Sequence, residues 1–206
     1  MEQKEAVAQK RKRSGDRISE IVDLAEAQIL AMGTLPLSIQ AIADAMGSSR
    51  ALVYAYFSDQ NALIDAVLMR AIRRLDDAGF TEACRVGDAA ERLVAATSIY
   101  LDHVVEHGPV LHHIGREVPR AVTLSPAARG YRARMIHRLA GALKRDLSLP
   151  PREALILVEL LAAIPEELAR LIRRDELSID DAHATNRRLV LAGIDSLRPT
   201  TDGAPV

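Results

Sequence analysis

The sequence predicts an all-α protein in which a small N-terminal head of three helices precedes a larger helical bundle. The apolar residues, 49% of the 206, are almost all aliphatic, with no Trp, two Phe and four Tyr. That composition favours helices over sheets. Apolar residues also recur every three or four positions, and Gly and Pro mostly separate those runs. A chain of this length can bury a substantial core as one domain or two small ones.

The first predicted helix runs from about Arg17 to Met32. Gly33 follows it, and glycine suits the left-handed conformation that commonly ends a helix. Its apolar residues at helical spacing are Ile18, Ile21, Val22, Ala25 and Ile29. Basic residues precede and open it, and alone they fit either a solvated tail or an arm that contacts an acidic partner. The residues of this basic arm are Lys10, Arg11, Lys12, Arg13 and Arg17.

Two short helices and one longer helix are predicted next. Ser38 can cap a helix that Gly47 ends, and Ser48 or Ser49 can cap one that continues to Phe57. A fourth helix, over about 60–78, has the regular rhythm of a helix packed on one side. Its apolar stripe is Leu63, Ile64, Val67, Leu68, Ala71, Ile72 and Leu75. We expect this helix to link the head to the body.

The body is predicted to contain four further helices, at about 89–106, 125–148, 152–174 and 179–197. Residues 108–124 are expected to be irregular because Gly and Pro recur there. Pro165 is expected to kink or break its helix, since it lacks a donor and clashes with the preceding turn. The expected buried face of the last helix is Ile179, Ala182, Asn186, Leu189, Val190, Gly193 and Leu197.

Composition also excludes several classes of protein. One cysteine, Cys84, permits neither an intramolecular disulfide nor a zinc-thiolate site. The longest apolar stretch, Leu155 to Ile164, is interrupted by Glu159 and is too short to span a bilayer, and the charged N-terminus lacks the apolar core of a signal peptide. We therefore expect a cytoplasmic protein that uses no cofactor and does not bind membranes.

The second and third predicted helices have the arrangement of a helix-turn-helix, in which the second helix enters the major groove of DNA. An ordinary helical hairpin would explain the lengths equally well. The outward residues of the third helix favour DNA, because their types contact phosphates, guanine edges and thymine methyls. They are Ser48, Ser49, Arg50, Ala51, Tyr54 and Tyr56.

The segment from Ile42 to Phe57, followed by Leu63, resembles the signature of the TetR family of transcriptional regulators. It reads Ile-Ala, then Met-Gly-Ser-Ser-Arg-Ala, then Leu-Val-Tyr-Ala-Tyr-Phe, with each element at the family's spacing. The stretch from Ile164 to Leu197 is similar to the C-terminal helices of many members, whereas the middle indicates no particular subfamily. The resemblance implies a non-enzymatic regulator that binds a double-stranded DNA operator.

Carried over position by position, the resemblance implies a role for each residue of the motif. Ser49, Tyr54 and Tyr56 would contact phosphates, and Arg50 and Ala51 would face base edges. Further contacts, at the margin or near the backbone, would come from Ser48, Gln40 and Thr34. The core positions would be Ile42, Ala43, Val53, Phe57 and Leu63.

The chain departs from the family pattern at two positions. Gln60 stands where members usually carry a basic residue, and Leu52 stands where a small or hydroxylated residue is common. Gln60 can still donate a hydrogen bond to a phosphate, but without the assistance of a charge. Arg50 is the only cation of the third helix, so the salt-dependent part of binding must depend on the arm, with Arg13 and Arg17 as predicted contacts.

An effector site is expected in the body, although the sequence does not identify its ligand. Histidines cluster near residue 107 and could bind a regulatory metal or an acidic effector, or could be a solvated helix end. The pattern His-x-x-Glu-His at 103–107 also occurs in zinc hydrolases, but no third ligand is apparent. We predict no metal site, and the candidate effector-binding residues are Tyr100, His103, His107, His113, Arg116 and Met135.

The resemblance also implies a homodimer whose last two helices pair with those of the partner, and the apolar surplus between Leu155 and Leu197 agrees with it. A small molecule would release such a repressor from a palindromic operator. The alternative is a helical interaction protein of the same fold that has weak or lost DNA reading. The expected division is a head at 1–62, an effector and dimerisation domain at 63–198, and a disordered tail at 199–206.

Overall fold

The computed structural model describes residues 2–121 and 125–197, with the side chains of 2–13, 116–121 and 129 left undescribed. The described residues form ten helices and no strand, which confirms the predicted all-α class, although the sequence predicts only eight of these helices. In chain order these are α1 Glu2–Met32, α2 Ile39–Ala45, α3 Arg50–Tyr56, α4 Gln60–Asp77, α5 Phe80–Ala83, α6 Ala89–His107, α7 Val110–Ala121, α8 Pro126–Leu147, α9 Pro151–Ile172 and α10 Ile179–Asp195. No helix among them is long and apolar enough to cross a membrane. The predicted tail at 199–206 lies outside the described residues.

The chain forms two compact units. The first runs through Ile72 and resumes over Pro109–Ala128, so it contains α1 to α3, most of α4, and α7. The second comprises Arg73–Gly108 and the described chain from Arg129 onward. Both α4 and α8 are continuous helices that pass from one unit to the other.

The first unit is built around the apolar stripes of α1 and α4. Ile21, Ala25 and Ile29 are fully buried, whereas Ile18, predicted for the same face, is 41% exposed. The stripe predicted for α4 is buried along its whole length. The first helix is also longer than predicted: it begins at Glu2, so the basic arm is part of α1 rather than a separate tail.

The second unit has its core between α6, α9 and α10. A cluster of buried apolar side chains joins these helices, and partly buried ones such as Ile164 and Leu177 surround it. The cluster consists of Leu101, Val104, Leu168, Ala169 and Ala182. On α8, Tyr131, Met135, Leu139 and Leu143 form a buried stripe at helical spacing.

The prediction of an irregular segment over 108–124 is wrong for most of its length, because residues 110–121 form α7. Gly108 ends α6 with a φ of 75°, and α7 then packs on α1 within the first unit. Val110 and Ile114 are buried there. Burial of one apolar face therefore outweighs the weak helix propensity of Gly115 and Pro119, as tertiary packing commonly does.

The last two helices differ from expectation at two points. First, α9 continues through Pro165, which is buried inside it, so of the two expected effects of this proline the break is absent. Second, the buried face of α10 is Ala182, Asn186, Val190 and Ile194, whereas Ile179, Leu189 and Leu197 are 39%, 48% and 37% exposed. Strict four-residue spacing thus selects the buried face, and it leaves several large apolar residues on the surface.

Candidate nucleic-acid interface and effector site

The first helix of the predicted motif, α2, is fixed at its start by Ser38. The Ser38 hydroxyl accepts a hydrogen bond from Ala41 N over 3.2 Å, which satisfies one of the amides that open a helix. The backbone amide of Ser38 donates to Gln28 Oε1 of α1 over 2.6 Å. Ile42 and Ala43 of this helix are buried, as the resemblance implies. The start of α2 is therefore tied to α1.

The turn between α2 and α3 depends on a glycine. Gly47 has a φ of 59°, a conformation that side chains with a Cβ rarely adopt. The next amide, Ser48 N, bonds back to Ala43 O over 2.9 Å and closes the turn. This turn joins α2 to α3 within four residues, and the start of α3 is exposed.

Ser49 caps α3, and its hydroxyl accepts from Leu52 N over 3.3 Å. Val53 anchors the helix because it is 1% exposed, and Phe57, expected in the core, is half-buried. Asp59 then caps α4 by accepting from Ala62 N over 2.8 Å. Helices α3 and α4 are thus separated by only three residues, which restricts how α3 can be oriented.

The outward face of α3 carries the residues predicted to read DNA. Ser49, Arg50, Ala51 and Tyr54 are all exposed. The Arg50 guanidinium lies 6.0 Å from the centre of the Tyr54 ring, within the range of a cation–π contact. Both side chains lie on the exposed face of α3, where the guanidinium can reach a base edge or a phosphate.

The remaining predicted contacts are less available than those on α3. Thr34 is exposed, but Ser48, Tyr56 and Gln60 are half-buried, so the expected pair of exposed tyrosines is reduced to Tyr54. Gln40 is exposed, and its amide donates to Asp44 Oδ1 over 2.7 Å. A phosphate would have to displace that carboxylate.

The basic arm is represented in the described side chains by Arg17. It is exposed and pairs with Glu20 over 2.7 Å, an exposed helical pair of small energy that a phosphate can replace. The side chain of Arg13 lies outside the described part of the structure. Because α1 begins at Glu2, these residues belong to a helix, which can lie along a phosphate backbone but cannot thread a narrow groove as an extended arm would.

Three of the predicted effector-binding residues are brought together on α6. The rings of Tyr100 and His103 lie 6.4 Å apart, and those of His103 and His107 lie 5.0 Å apart. His103 is 5% exposed, and its Nε2 atom is buried without a hydrogen-bond partner among the described residues. Burial, followed by the charges of His107 and Arg74, lowers the pKa of His103 to about 4. The imidazole is therefore neutral at physiological pH.

The other predicted effector residues are divided between the two units. Met135 belongs to the second unit, but its sulfur is contacted by Thr81 and Arg138, at 3.9 and 3.7 Å. His113 belongs to the first unit, where a Cβ added at Gly33 would lie 3.5 Å from its Cε1 atom. The side chain of Arg116 lies outside the described part of the structure. The sequence signal, a run of histidines, did not show that α6 and α7 belong to different units.

The structure bears on two other chemistries, metal binding by the histidines and redox sensing by Cys84. No group of three or more His, Cys, Asp or Glu side chains within the described residues could hold a metal ion, and Glu106 is largely exposed. Cys84 is fully buried, and burial raises the pKa of its thiol to about 12. A redox sensor requires an accessible thiolate, and Cys84 provides neither property.

Sequence reasoning missed one charged cluster in the first unit. Arg70 of α4 donates to the carboxylates of Asp23 and Glu26 and, over 3.1 Å, to the carbonyl of Val22, all on α1. The sequence shows only that one polar residue interrupts the apolar face of each helix, Glu26 on α1 and Arg70 on α4. Without the fold, nothing indicates that these two interruptions face each other.

The comparisons with known proteins agree with this geometry. Residues 21–67 match the family model described as bacterial regulatory proteins, tetR family, and that range spans part of α1, all of α2 and α3, and the start of α4. No curated protein matches the sequence significantly.

Several solved structures share the fold over most of their length. A TetR-like transcriptional regulator from Rhodococcus sp. RHA1 aligns with a TM-score of 0.65 at 21% identity, covering 86% of this chain and 94% of that one. A TetR-family regulator from Marinobacter aquaeolei VT8 gives 0.62 at 19% identity, covering 86% and 97%. The TetR-family regulator PfmR from Thermus thermophilus gives 0.60 at 19%, covering 85% and 97%.

The family model accounts for the head, and the solved structures account for the fold of most of the chain. The geometry of Ser38, Gly47 and Ser49 explains physically why this sequence folds into a helix-turn-helix. The N-terminal domain of the chain therefore matches the TetR family model over residues 21–67, and its all-α fold is that of solved TetR-family transcriptional regulators.

Proposed function

We propose that the protein is a sequence-specific, homodimeric repressor that binds a palindromic operator through α3 and leaves it when an effector binds. Regulators of this family are DNA-binding proteins rather than enzymes. The observation that carries the proposal is the exposed face of α3, where Arg50 and Tyr54 stand one turn apart above a buried Val53. The anchor orients the helix, and its exposed side chains remain free to read a major groove.

The electrostatics of the head predict moderate affinity. Arg50 is the cation of α3, Gln60 contributes no charge, and Gln40 and Arg17 each face a carboxylate. Each phosphate neutralised by a cation steepens the loss of affinity with salt. We expect a shallower salt dependence than that of a regulator with several cations on its reading helix.

Selection of bound sequences from random DNA duplexes tests the reading function. We expect one enriched palindromic sequence, whose half-sites lie about 34–36 Å apart when each recognition helix reads one turn of DNA. Arg50→Ala should lower affinity for it by about 1–3 kcal/mol and relax specificity at one base pair. Tyr54→Phe should weaken all duplexes similarly, because a hydroxyl contact to phosphate carries no sequence information.

Arg85→Ala is the matched control, since Arg85 is an exposed arginine in the turn after α5 and its removal changes net charge equally. Equal, weak and sequence-blind binding by wild type and both α3 variants would instead favour the interaction protein without DNA reading.

Dimerisation is supported by the apolar residues exposed on α9 and α10. Ile156 and Leu160, one turn apart on α9, are 50% and 63% exposed, and Leu189 on α10 is 48% exposed. Such side chains at adjacent helical positions are typical of an interface between helices. A second copy of the chain, presenting the same helices, would bury them in a four-helix contact.

A charge substitution tests this interface. We expect Leu160→Glu to shift sedimentation from dimer to monomer, because a buried unpaired carboxylate opposes association. Val86→Glu is a matched control, because Val86 is 62% exposed in the turn before α6. The control should sediment as wild type does. A Leu160→Glu variant that also sediments as wild type would contradict the proposed interface.

The effector site is proposed at the α6 cluster of Tyr100, His103 and His107. The support is the buried Nε2 atom of His103, which has no partner in the described part of the chain and can bond a ligand. Because the charge of Arg74 acts on this imidazole, an acidic ligand group would be stabilised there. The ligand class that fits is therefore a small organic acid.

Titration of the histidine Cε1–H resonances with benzoate and with the uncharged benzamide tests this site. We expect benzoate, and not benzamide, to shift the His103 signal and to lower operator affinity, since an effector acts by its differential affinity for two states. Operator binding unaltered by every compound that shifts His103 would overturn the effector role.

A further inference from the structure

Arg70 makes a three-way contact between α4 and α1. Its guanidinium donates to the carboxylates of Asp23 and Glu26 and to the Val22 carbonyl. The three acceptors lie close together along α1, so a single planar side chain holds two helices in one relative position. Arginine is suited to this because its donors form a rigid fork.

The pair with Glu26 is largely removed from water, unlike an ordinary surface ion pair. The side chains of Arg70 and Glu26 are 16% and 10% exposed, whereas that of Asp23 is 61% exposed. A buried ion pair contributes little net stability compared with well-packed apolar residues. The presence of the Arg70–Glu26 pair is therefore better explained by the relative position that it imposes on α1 and α4.

That position matters for α3, which is attached at both ends to helices held by α1. At one end, α2 is tied to α1 through the Ser38 amide and Gln28, and a short turn leads into α3. At the other end, three residues connect α3 to α4, which Arg70 ties to α1. Displacement of α4 along α1 would pull on α3 directly.

We propose that Arg70 is a positioning residue for DNA recognition: by clamping α4 to Glu26 and Asp23 of α1, it sets the orientation of the reading helix α3. This role rests on the proposed DNA-binding function. Arg70 also lies two residues before the point at which α4 passes into the second unit. A displacement of the C-terminal part of α4 would therefore act on the contact between Arg70 and Glu26 before it acted on α3.

The proposal is tested by separating stability from operator affinity. Arg70→Met alone leaves the Glu26 carboxylate buried without its arginine, so we expect a lower midpoint of urea unfolding. Arg70→Met with Glu26→Leu removes both buried charges and should recover most of that midpoint. If the clamp positions α3, this stable double variant still binds the selected operator about tenfold more weakly than wild type.

Two further variants complete the experiment. Arg70→Lys keeps the charge but not the fork, and we expect it to retain part of the operator affinity that the double variant loses. Arg73→Met makes the same substitution at an exposed position three residues along α4, and we expect wild-type affinity.

The outcomes separate this inference from the function on which it rests. A double variant that binds the operator as tightly as wild type overturns the positioning role, as does a loss of affinity in Arg73→Met equal to that of the double variant. If the double variant does not recover stability, equal operator affinity of Arg70→Lys and wild type overturns it instead. A wild-type protein that selects no duplex overturns the DNA-binding function and this role together.

Discussion

The side-chain amide of Asn186 on α10 donates to the hydroxyl of Thr97 on α6 over 2.9 Å, and Asn186 is completely buried. The same amide reaches the Ser98 hydroxyl over 3.3 Å, and Thr97 in turn donates to the carbonyl of Leu93. A polar chain thus crosses the core of the second unit. Buried hydrogen bonds of this kind fix the register of two helices, because a slip would leave polar atoms unpaired.

Asn186→Ala should destabilise the second unit, since it leaves hydroxyl acceptors unpaired and opens a small cavity. We expect a loss of about 1–3 kcal/mol in the free energy of unfolding, measured by urea denaturation at one fixed protein concentration. Arg187→Ala, at the adjacent exposed position, should stay within about 0.5 kcal/mol of wild type. Equal losses in both variants would contradict a specific role for the buried amide.

The lowered pKa of His103 predicts that the folded protein loses stability at acid pH. Its pKa falls from the ordinary histidine value of 6.5 to about 4 in the folded protein, chiefly through burial. The unfolded state therefore binds a proton more readily, so this contribution to stability is complete above pH 6.5 and is lost as the pH falls toward 4. His107 and Arg74 act in the same direction as burial.

The measurement is the free energy of unfolding of wild type and His103→Asn between about pH 7 and about pH 4, the interval over which the histidine gains its proton. The variant should lose less stability than wild type over that interval, because asparagine does not titrate. Parallel curves for the two proteins would show that His103 is not the group responsible.

Ser49 is predicted to act both as the cap of α3 and as a contact to DNA, and two substitutions separate these roles. Ser49→Asp keeps a good capping oxygen, so the unfolding midpoint should hold, but its charge should repel the phosphates and abolish operator binding. Ser49→Ala should cost about 0.5–2 kcal/mol of stability and weaken the operator complex less. An aspartate variant that binds the operator normally would place Ser49 away from the DNA.

Cys84 should be unreactive in the native protein. Its pKa is raised from 9.0 to about 12, which reduces the thiolate fraction roughly a thousandfold, and its side chain is buried as well. Alkylation by iodoacetamide at about pH 8 should therefore proceed only as fast as the protein opens, and rapidly in urea. Labelling at the same rate in both conditions would show that the Cys84 thiol is accessible in the native protein, contrary to this prediction.

The sequence alone predicted most of the local structure, because local structure follows from local chemistry. Ser38 and Ser49 cap the helices that they were predicted to cap, and Gly47 adopts the left-handed turn. The stripe of α4 is buried throughout, since a regular period leaves only one face for the core. The predicted reading residues on α3 follow from the same regularity, and all but Ser48 and Tyr56 are exposed.

The tertiary structure decided what the period of one helix cannot determine. Residues 110–121 became α7 because α1 buries one of their faces, against the propensity of Gly115 and Pro119. The clamp of Arg70 on Glu26 joins residues 44 positions apart, and the burial of the His103 Nε2 atom depends on everything packed around it. Burial and pairing are properties of neighbours distant in sequence, so only the folded chain specifies them.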